Sequence, residues 1–250
     1  MKKRKVVGIK IGSNLLTNGD GLINYSFVAD VCRQVSEVKR EYDVFLVRSG
    51  AVASDGNEDR SPESRAAVGQ AKLIATEVYH FGMYGLSVAQ LLPTYHDLRK
   101  NNTYFFLNYR NILHDRLAIP DINYNDPMDN REMKQVSKYS DNDNLFKRIC
   151  MVGGVDIPII GFNSPGITDP SKNVIREIYS RDRKKIMGYI QEGSSSGYGK
   201  GKEGPLTKVK VAFDLAKICG KAILVPGYEK DFILRAIAGE LNFGTIFYGR

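Results

Sequence analysis

The chain lacks tryptophan, has only three cysteines and three histidines, and contains no long hydrophobic run. No apolar segment approaches the roughly 18 residues of a membrane-spanning helix. The start, MKKRKVVGIKIG, has neither the apolar region nor the cleavage site of a signal peptide. Cys32, Cys150 and Cys219 stand far apart within helical patterns, without a C-x-x-C motif or a neighbouring histidine. We therefore expect a cytoplasmic protein with buried, reduced thiols, no membrane partner, and neither a zinc site nor a disulfide scaffold.

Positive charge exceeds negative charge in this chain. The 250 residues include 36 Lys and Arg against 28 Asp and Glu, a net charge of +8. Such a charge suits nucleic acid, and it suits a nucleoside triphosphate with an anionic substrate equally well. The basic residues are scattered except at 2–5 and 181–185, so we expect small-molecule substrates rather than a nucleic-acid partner. The hydrophobic content of 42% is enough for a full core.

Short apolar segments alternate with longer amphipathic ones along the whole chain. The pattern predicts strands at 5–11, 43–47, 85–92, 118–123, 155–161, 221–225 and 245–248. It predicts helices at 25–40, 101–117, 142–152, 205–220 and 231–238, and another that begins with Ser61-Pro62-Glu63, a capping residue followed by proline. Strands that alternate with such helices favour an α/β fold with a mainly parallel sheet covered on both faces.

A lysine lies inside the first predicted strand. Lys10 precedes Gly12-Ser13 at the carboxyl end of VVGIKI, and open parallel sheets bind their ligands at that end of their strands. Burying an ammonium group is costly unless it reaches an anion. Lys10 is therefore a candidate phosphate-binding residue, with Gly12 allowing close approach of the backbone. The alternative is a lysine on an edge strand whose ammonium group reaches water.

Small and polar residues follow the other predicted strands. Ser49-Gly50-Ala51 begins what the pattern predicts to be a helix, so its backbone N–H groups are candidates for holding a carboxylate or a phosphate. A plain tight turn is the alternative. Asn123-Tyr124-Asn125-Asp126 and Asp141-Asn142-Asp143-Asn144 are candidates for binding the ammonium and carboxylate groups of an amino acid. A turn and a helix cap are the alternatives for these two segments.

A segment rich in glycine and serine, 191–204, precedes the predicted helix at 205–220. Lys208 follows Thr207 in the predicted first turn of that helix, where a cation opposes the helix dipole. A bound anion would offset that cost. The order Thr-Lys differs from the phosphate-loop pattern G-x-x-x-x-G-K-[ST], and no strand runs directly into the segment.

Seven segments are distributed over essentially the whole chain: VVGIKIGSNLLT, LVRSGAVAS, RAAVGQAKLI, LNYRNIL, IPDINYND, YSDNDNL and PLTKVKVAFDLAKICG. Each resembles a motif of the amino-acid kinase family, and the set is most similar to the glutamate 5-kinases. The resemblance implies a three-layer αβα sandwich and one kinase domain over 1–250, with a substrate-binding part at about 1–150 and a nucleotide-binding part at about 151–250. GTIFYGR is similar to the end of the family's kinase domain, so an appended PUA domain is not expected.

The resemblance also implies an activity, cofactors and roles for particular residues. The activity is ATP-dependent phosphorylation of the γ-carboxylate of L-glutamate in proline biosynthesis, by a homo-oligomer, with Mg²⁺ brought by ATP rather than held by protein ligands. The expected catalytic residues are Lys10, Lys208 and Asp143. The expected substrate-binding residues are Ser49, Gly50, Ala51, Asn123, Asp126, Asp141 and Asn142. The expected nucleotide-binding residues are Lys10, Gly12, Ser13, Gly161, Phe162, Gly199, Gly201, Gly204, Thr207 and Lys208.

Three positions depart from the family's motifs. Tyr124 replaces the glutamate of the INEND motif, and Gly161-Phe162 replaces the Thr-Asp pair that meets the nucleotide. The glycine-rich loop is longer than in the family and carries Lys200 and Lys202. These departures keep two alternatives open: a kinase for another small carboxylate or a carbamate, and a non-catalytic, ligand-binding or regulatory member of the family.

Overall fold

A computed structural model describes residues 3–18, 21–98, 103–128, 142–193, 204–240 and 242–250 of the chain. Three of the expected site residues, Asp141, Gly199 and Gly201, lie outside the described residues.

Helices and strands alternate along the described chain, as the hydrophobic pattern predicts. The strands are β1 Val6–Ile11, β2 Asp43–Arg48, β3 Ser87–Leu91, β4 Ala118–Ile122, β5 Ile157–Phe162, β6 Ile167–Thr168, β7 Val174–Ile175, β8 Glu177–Tyr179, β9 Lys221–Pro226 and β10 Thr245–Tyr248. The helices are α1 Ser13–Leu16, α2 Tyr25–Lys39, α3 Pro62–Gly82, α4 Thr103–Leu113, α5 Asn142–Gly153, α6 Arg183–Gly193, α7 Gly204–Cys219 and α8 Phe232–Ala238. Ser61 caps α3 by accepting a hydrogen bond from the Ser64 N–H, as its position before proline predicts.

Eight strands form one sheet in the order β3-β4-β2-β1-β5-β9-β10-β8. Every neighbouring pair is parallel except β9 and β10, which run antiparallel. Strands from both sides of residue 150 therefore belong to the same sheet. β6 and β7 form a separate antiparallel pair, and the stretch rich in turn-forming residues at 166–172 contains the turn between them. No helix in the described ranges is long and apolar enough to cross a membrane.

Helices cover both faces of this sheet, so the predicted three-layer αβα sandwich is confirmed. Val7, Ile9 and Ile11 of β1 pack on one face with buried residues of α2, α3 and α8. The opposite face packs against α4, α5, α6 and α7. Because successive side chains of a strand point to opposite faces, β1 directs the side chain of Lys10 to the second face, where α5 and α7 lie.

The three cysteines are free thiols on helices, as the sequence predicts. Cys32 and Cys150 are buried, whereas Cys219, the last residue of α7, is only partly buried. Burial raises the pKa of the Cys32 thiol to about 12 and that of Cys219 to about 11. These thiols therefore stay protonated and unreactive at neutral pH.

Two local predictions are wrong. The segment that follows β2 does not begin an α-helix: it turns at Gly50 (φ +102°), forms one 3₁₀ turn at Ala53–Asp55, and turns again at Gly56 (φ +73°). Left-handed glycines at both ends prevent a helix from continuing in either direction. Lys208 is the fifth residue of α7, because that helix begins at Gly204, so it lies beyond the predicted first turn.

Candidate active site

The carboxyl ends of six parallel strands meet at one edge of the sheet. The parallel register pairs Ile11 at the end of β1 with Arg48 of β2 and with Gly161 of β5. It also pairs Val47 with Ile122 of β4, and Phe162 with Pro226 of β9. The loops that follow these strands therefore lie side by side, as the sequence predicts for a ligand site at this edge.

Lys10 lies in the interior of the sheet. Its strand, β1, has β2 and β5 as hydrogen-bonded neighbours, and the residue is 3% exposed. The alternative of an edge lysine that reaches water is therefore wrong.

Two lysines share one buried carboxylate at this edge. Asp143, the second residue of α5, binds the Lys10 Nζ through Oδ1 at 2.6 Å and the Lys208 Nζ through Oδ2 at 2.9 Å. Burial alone would raise the pKa of Asp143, but the two ammonium groups outweigh it and hold that pKa below its usual range. The lowered pKa favours the ionised carboxylate at neutral pH, and two lysines with one carboxylate give the cluster a formal charge of +1.

The three expected catalytic side chains come from elements far apart in the sequence. Lys10 is on the central strand, while Asp143 and Lys208 lie near the starts of α5 and α7, which pack on the same face of the sheet. Lys208 is the most accessible of them, with 23% of its side chain exposed. A net positive cluster that is open on one side is suited to hold an anion such as a phosphate group.

The backbone turns after β1 and β2 lie against each other beside this cluster. The Ser49 N–H donates to the Ile11 carbonyl at 3.3 Å, and the Gly12 N–H faces the Gly161 carbonyl at 3.4 Å. A Cβ built on Gly12 would come no closer than 3.8 Å to any atom of the described residues. Packing within this part of the chain therefore does not demand glycine at position 12.

Helix α3 fixes the turn that contains Ser49, Gly50 and Ala51. A Cβ added to Gly69 of α3 would lie 1.8 Å from the Ala51 carbonyl oxygen, so only glycine permits this contact. The Ser54 N–H closes the turn by donating to the Gly50 carbonyl at 2.8 Å. Ala51 is buried in this packing, while Ser49 and Gly50 remain partly exposed at the sheet edge.

The expected substrate residues after β4 and at the start of α5 have different surroundings. Asn123 is 2% exposed; its Nδ2 donates to Gln70 Oε1 at 2.7 Å, and its Oδ1 accepts from the Tyr124 N–H at 2.9 Å. Its amide is thus engaged in shaping the loop. Asp126 is 9% exposed. Asn142 directly precedes Asp143, and its buried Oδ1 has no hydrogen-bond partner within the described part of the chain.

The expected nucleotide residues are only partly brought together. Gly161 lies beside Gly12, but the Phe162 side chain is 8% exposed and packs into the core. Only its backbone reaches the sheet edge, where the Phe162 carbonyl accepts from the Gly227 N–H at 3.0 Å. Ser13 is the first residue of α1, Gly204 the first of α7, and Thr207 adjoins Lys208 in α7. Their roles stay predictions.

Curated proteins named glutamate 5-kinase match this chain over almost its full length. The protein of Shewanella oneidensis is 33% identical and that of Desulfotalea psychrophila 35% identical, each over 98% of this chain. The chain spans 68% and 67% of the two relatives, about two thirds of their length. The chain belongs to the glutamate 5-kinase family. It is therefore a phosphotransferase.

Solved structures of low sequence identity have the same fold as this chain. Carbamate kinase from Giardia lamblia bound to AMP-PNP superposes with a TM-score of 0.68 at 15% identity, with all of both chains covered. UMP kinase from Ureaplasma parvum superposes with a TM-score of 0.63 at 11% identity, covering 98% of this chain and 100% of that one. No family model matches the chain.

The sequence analysis did not single out one set of buried polar residues in this chain. Arg48, the last residue of β2, contacts Asp121 of β4 and Glu77 of α3, and all three side chains are at most 1% exposed. The signal that singled out Lys10, a charged residue in an apolar strand, was present in DVFLVR and in AIPDI. Glu77 and Gln70 gave no such signal, because isolated polar residues are ordinary in helices.

Proposed function

We propose that this protein catalyses ATP-dependent phosphorylation of the γ-carboxylate of L-glutamate, giving L-glutamyl 5-phosphate for proline biosynthesis. One observation carries the proposal: Lys10 and Lys208 converge on Asp143 at the carboxyl edge of the sheet, in a chain whose curated relatives are named glutamate 5-kinase. We further propose that the part before about residue 150 binds the acid and the part after it binds the nucleotide.

The chemistry we propose is direct transfer between two anions. A carboxylate is ionised at pH 7, so it attacks the γ-phosphorus without a general base. The new bond joins the carboxylate oxygen to the γ-phosphorus, and the bond to the β–γ bridging oxygen breaks, so ADP leaves. Lys10 and Lys208 stabilise charge on the transferring group, and Asp143 holds both ammonium groups in place.

Backbone amides and small side chains complete the proposed site. We assign the amides of Gly12 and Gly50 to the transferring phosphoryl group and Ser49 to the acid. Asn142 and Asp126 are assigned to the ammonium end of the acid, because the buried Oδ1 of Asn142 is an acceptor that has no hydrogen-bond partner among the described residues. Since Asn142 adjoins Asp143 in α5, the acid would lie next to the lysine cluster.

Magnesium enters this proposal with the nucleotide. Among the described residues, no group of three or more His, Cys, Asp or Glu side chains could hold a metal ion. Both oxygens of Asp143 already contact lysines, so the described residues do not fit a magnesium site of their own. Mg²⁺ bound to ATP would neutralise charge on the β- and γ-phosphates.

Replacing Asn142 by alanine is expected to raise KM for L-glutamate at least tenfold, while KM for ATP changes less than twofold. The physical reason is loss of a buried acceptor for the substrate ammonium group. Steady-state kinetics with each substrate varied in turn would measure both constants. Asp126→Ala should likewise raise KM for L-glutamate and leave KM for ATP nearly unchanged. Asn173→Ala, in the turn between β6 and β7, serves as the control and should change neither KM value. Equal increases in the two KM values would remove Asn142 from the acid site.

One observation favours a second candidate, a kinase for another small carboxylate or a carbamate. Tyr124, which replaces the glutamate of the INEND motif, is partly buried and packs against the hydrophobic core. A phenol there removes one negative charge and adds bulk. The second candidate therefore predicts a preferred acceptor other than L-glutamate.

Formation of ADP from ATP across a panel of acceptors tests the proposed function. The panel contains L-glutamate, L-aspartate, N-acetyl-L-glutamate, glutarate and carbamate, each at several concentrations. We expect L-glutamate to give the highest kcat/KM, and trapping the acyl phosphate with hydroxylamine identifies the product. Preference for another acceptor would support the second candidate, and no turnover with any acceptor would support the non-catalytic alternative.

A further inference from the structure

A second buried charge cluster lies on the face of the sheet opposite to Lys10. The Arg48 Nε donates to Asp121 Oδ1 at 2.7 Å, and its Nη2 contacts Asp121 Oδ2, which makes the pair bidentate. The Arg48 Nη1 contacts Glu77 Oε1. Relative exposures are 1% for Arg48, 0% for Asp121 and 1% for Glu77. We call these three residues the buried triad; one cation and two anions give it a formal charge of −1.

The buried triad links the elements from which the proposed acid-binding loops start. Arg48 ends β2 and directly precedes Ser49, while Asp121 precedes Asn123 by two residues at the end of β4. The register pairs Leu46 with Asp121 and Val47 with Ile122, so the two strands end side by side. The ladder between the two strands extends to Val47 and Ile122, and the ion pair of Arg48 with Asp121 joins the strands at this same end.

Helix α3 provides the third member of the buried triad and also touches both loops directly. Its Gly69 contacts the Ala51 carbonyl, a position that no side chain could occupy. Its Gln70 accepts a hydrogen bond from Asn123 at 2.7 Å. Glu77 lies two turns further along the same helix. A single rigid helix thus meets the loop after β2, the loop after β4 and the arginine between them.

Stability does not explain why three charges are buried here. Desolvating an ion triad costs several kcal/mol per ion, and well-packed apolar residues in its place are often neutral or stabilising. Apolar contacts have no preferred angle. The planar guanidinium group, by contrast, fixes both the angle and the distance of the two carboxylates that it binds. Arg48 lies where the loops after β2 and β4 begin. Its fixed geometry therefore points to a role in holding these two proposed acid-binding loops in register.

We infer that the buried triad, with Arg48 at its centre, positions the two acid-binding loops against each other and so sets affinity for the acid substrate. The inference rests on the proposed function for the identity of the ligand. The triad touches no substrate in this arrangement, so its members are positioning residues. Their loss displaces the loops at 49–55 and 123–128 and leaves the cluster of Lys10, Asp143 and Lys208 on the other face unchanged.

The decisive variant replaces all three charges together, as Arg48→Met, Glu77→Leu and Asp121→Leu. It leaves no buried charge unpaired, so we expect a melting temperature equal to or above that of the wild type. KM for L-glutamate is expected to rise at least tenfold, with KM for ATP within twofold of wild type. Hydrogen–deuterium exchange of the full chain should speed up at 49–55 and 123–128 and stay unchanged at 157–162.

A second variant and a control keep the test decisive. Arg48→Lys keeps the positive charge but loses the bidentate guanidinium group. It should therefore speed up exchange in both loops and raise KM for L-glutamate, each less than in the triple variant. If the triple variant does not fold, exchange and KM of Arg48→Lys decide the question. Arg33→Lys is the control, because Arg33 binds Asp30 and Glu37 on the partly exposed surface of α2. It should change neither exchange in the two loops nor KM for L-glutamate.

A triple variant with wild-type KM for the acid and wild-type exchange in both loops would overturn the inference. The proposed function fails by a different result, namely no turnover of L-glutamate by the wild-type enzyme. The exchange measurement needs no substrate, so it decides the role of the buried triad even in that case.

Discussion

Lys10→Ala and Lys208→Ala are each expected to lower kcat by two or more orders of magnitude. Both ammonium groups lie at the carboxyl edge of the sheet on one shared carboxylate. In the proposed reaction, charge builds on the transferring phosphoryl group, and a preorganised cation facing it contributes most in the transition state. Because the lost interaction is strongest there, kcat should fall more than KM for either substrate rises. Initial rates with ATP and L-glutamate at saturation measure this.

Lys10 and Lys208 differ in burial, so different substitutions are needed to keep the two variants folded. Lys10 is 3% exposed, so alanine would also leave a cavity in the sheet; Lys10→Met removes the charge and keeps most of the volume. The side chain of Lys208 is 23% exposed and tolerates truncation better. Lys147→Ala is the matched control, because Lys147 also links α5 to α7, through Asp214 at 3.2 Å, on the outer side of the helices. Activity within threefold of wild type for a folded Lys10 or Lys208 variant would exclude that residue from the mechanism.

Asp143→Asn is expected to lower kcat by about two orders of magnitude while the protein stays folded. The amide keeps the shape of the carboxylate and loses its charge, so neither ammonium group is held at a fixed angle. The same change at Asp214, which binds Lys147 and Arg183 near the surface, should change kcat less than twofold. If Asp143→Asn raised KM for ATP with kcat unchanged, Asp143 would act in nucleotide binding alone.

The pH dependence of stability provides a second readout for Asp143. Its pKa is lowered in the folded protein, chiefly because two ammonium groups outweigh the effect of burial. A carboxyl group of this kind stabilises the fold at pH values above its unfolded pKa, and the contribution is lost as the pH falls through the lower folded pKa. Thermal unfolding should therefore show a smaller loss of stability on acidification in Asp143→Asn than in wild type.

Local patterns in the sequence predicted most of the fold. The apolar strand around Lys10 and the capped helix that begins after Ser61 both occur where predicted, because a run of buried residues and a side-chain cap are local properties. The segment after Ser49 was predicted to be helical and is not. Nothing in its composition reveals that Gly50 and Gly56 take left-handed conformations, or that the turn between them packs on Gly69 of α3.

The sequence by itself placed Lys10 in an apolar strand, where an ammonium group is favourable only if it meets an anion or reaches water. It also predicted a candidate ligand site at the carboxyl ends of the parallel strands. Only the tertiary structure decided that Asp143 is the anion that Lys10 meets and that Lys208 shares it. It alone also showed that Arg48 joins Asp121 and Glu77 on the opposite face of the sheet. The paired residues are 29 to 133 positions apart in the sequence. Their pairing depends on how helices pack across a sheet, and no local pattern encodes that packing.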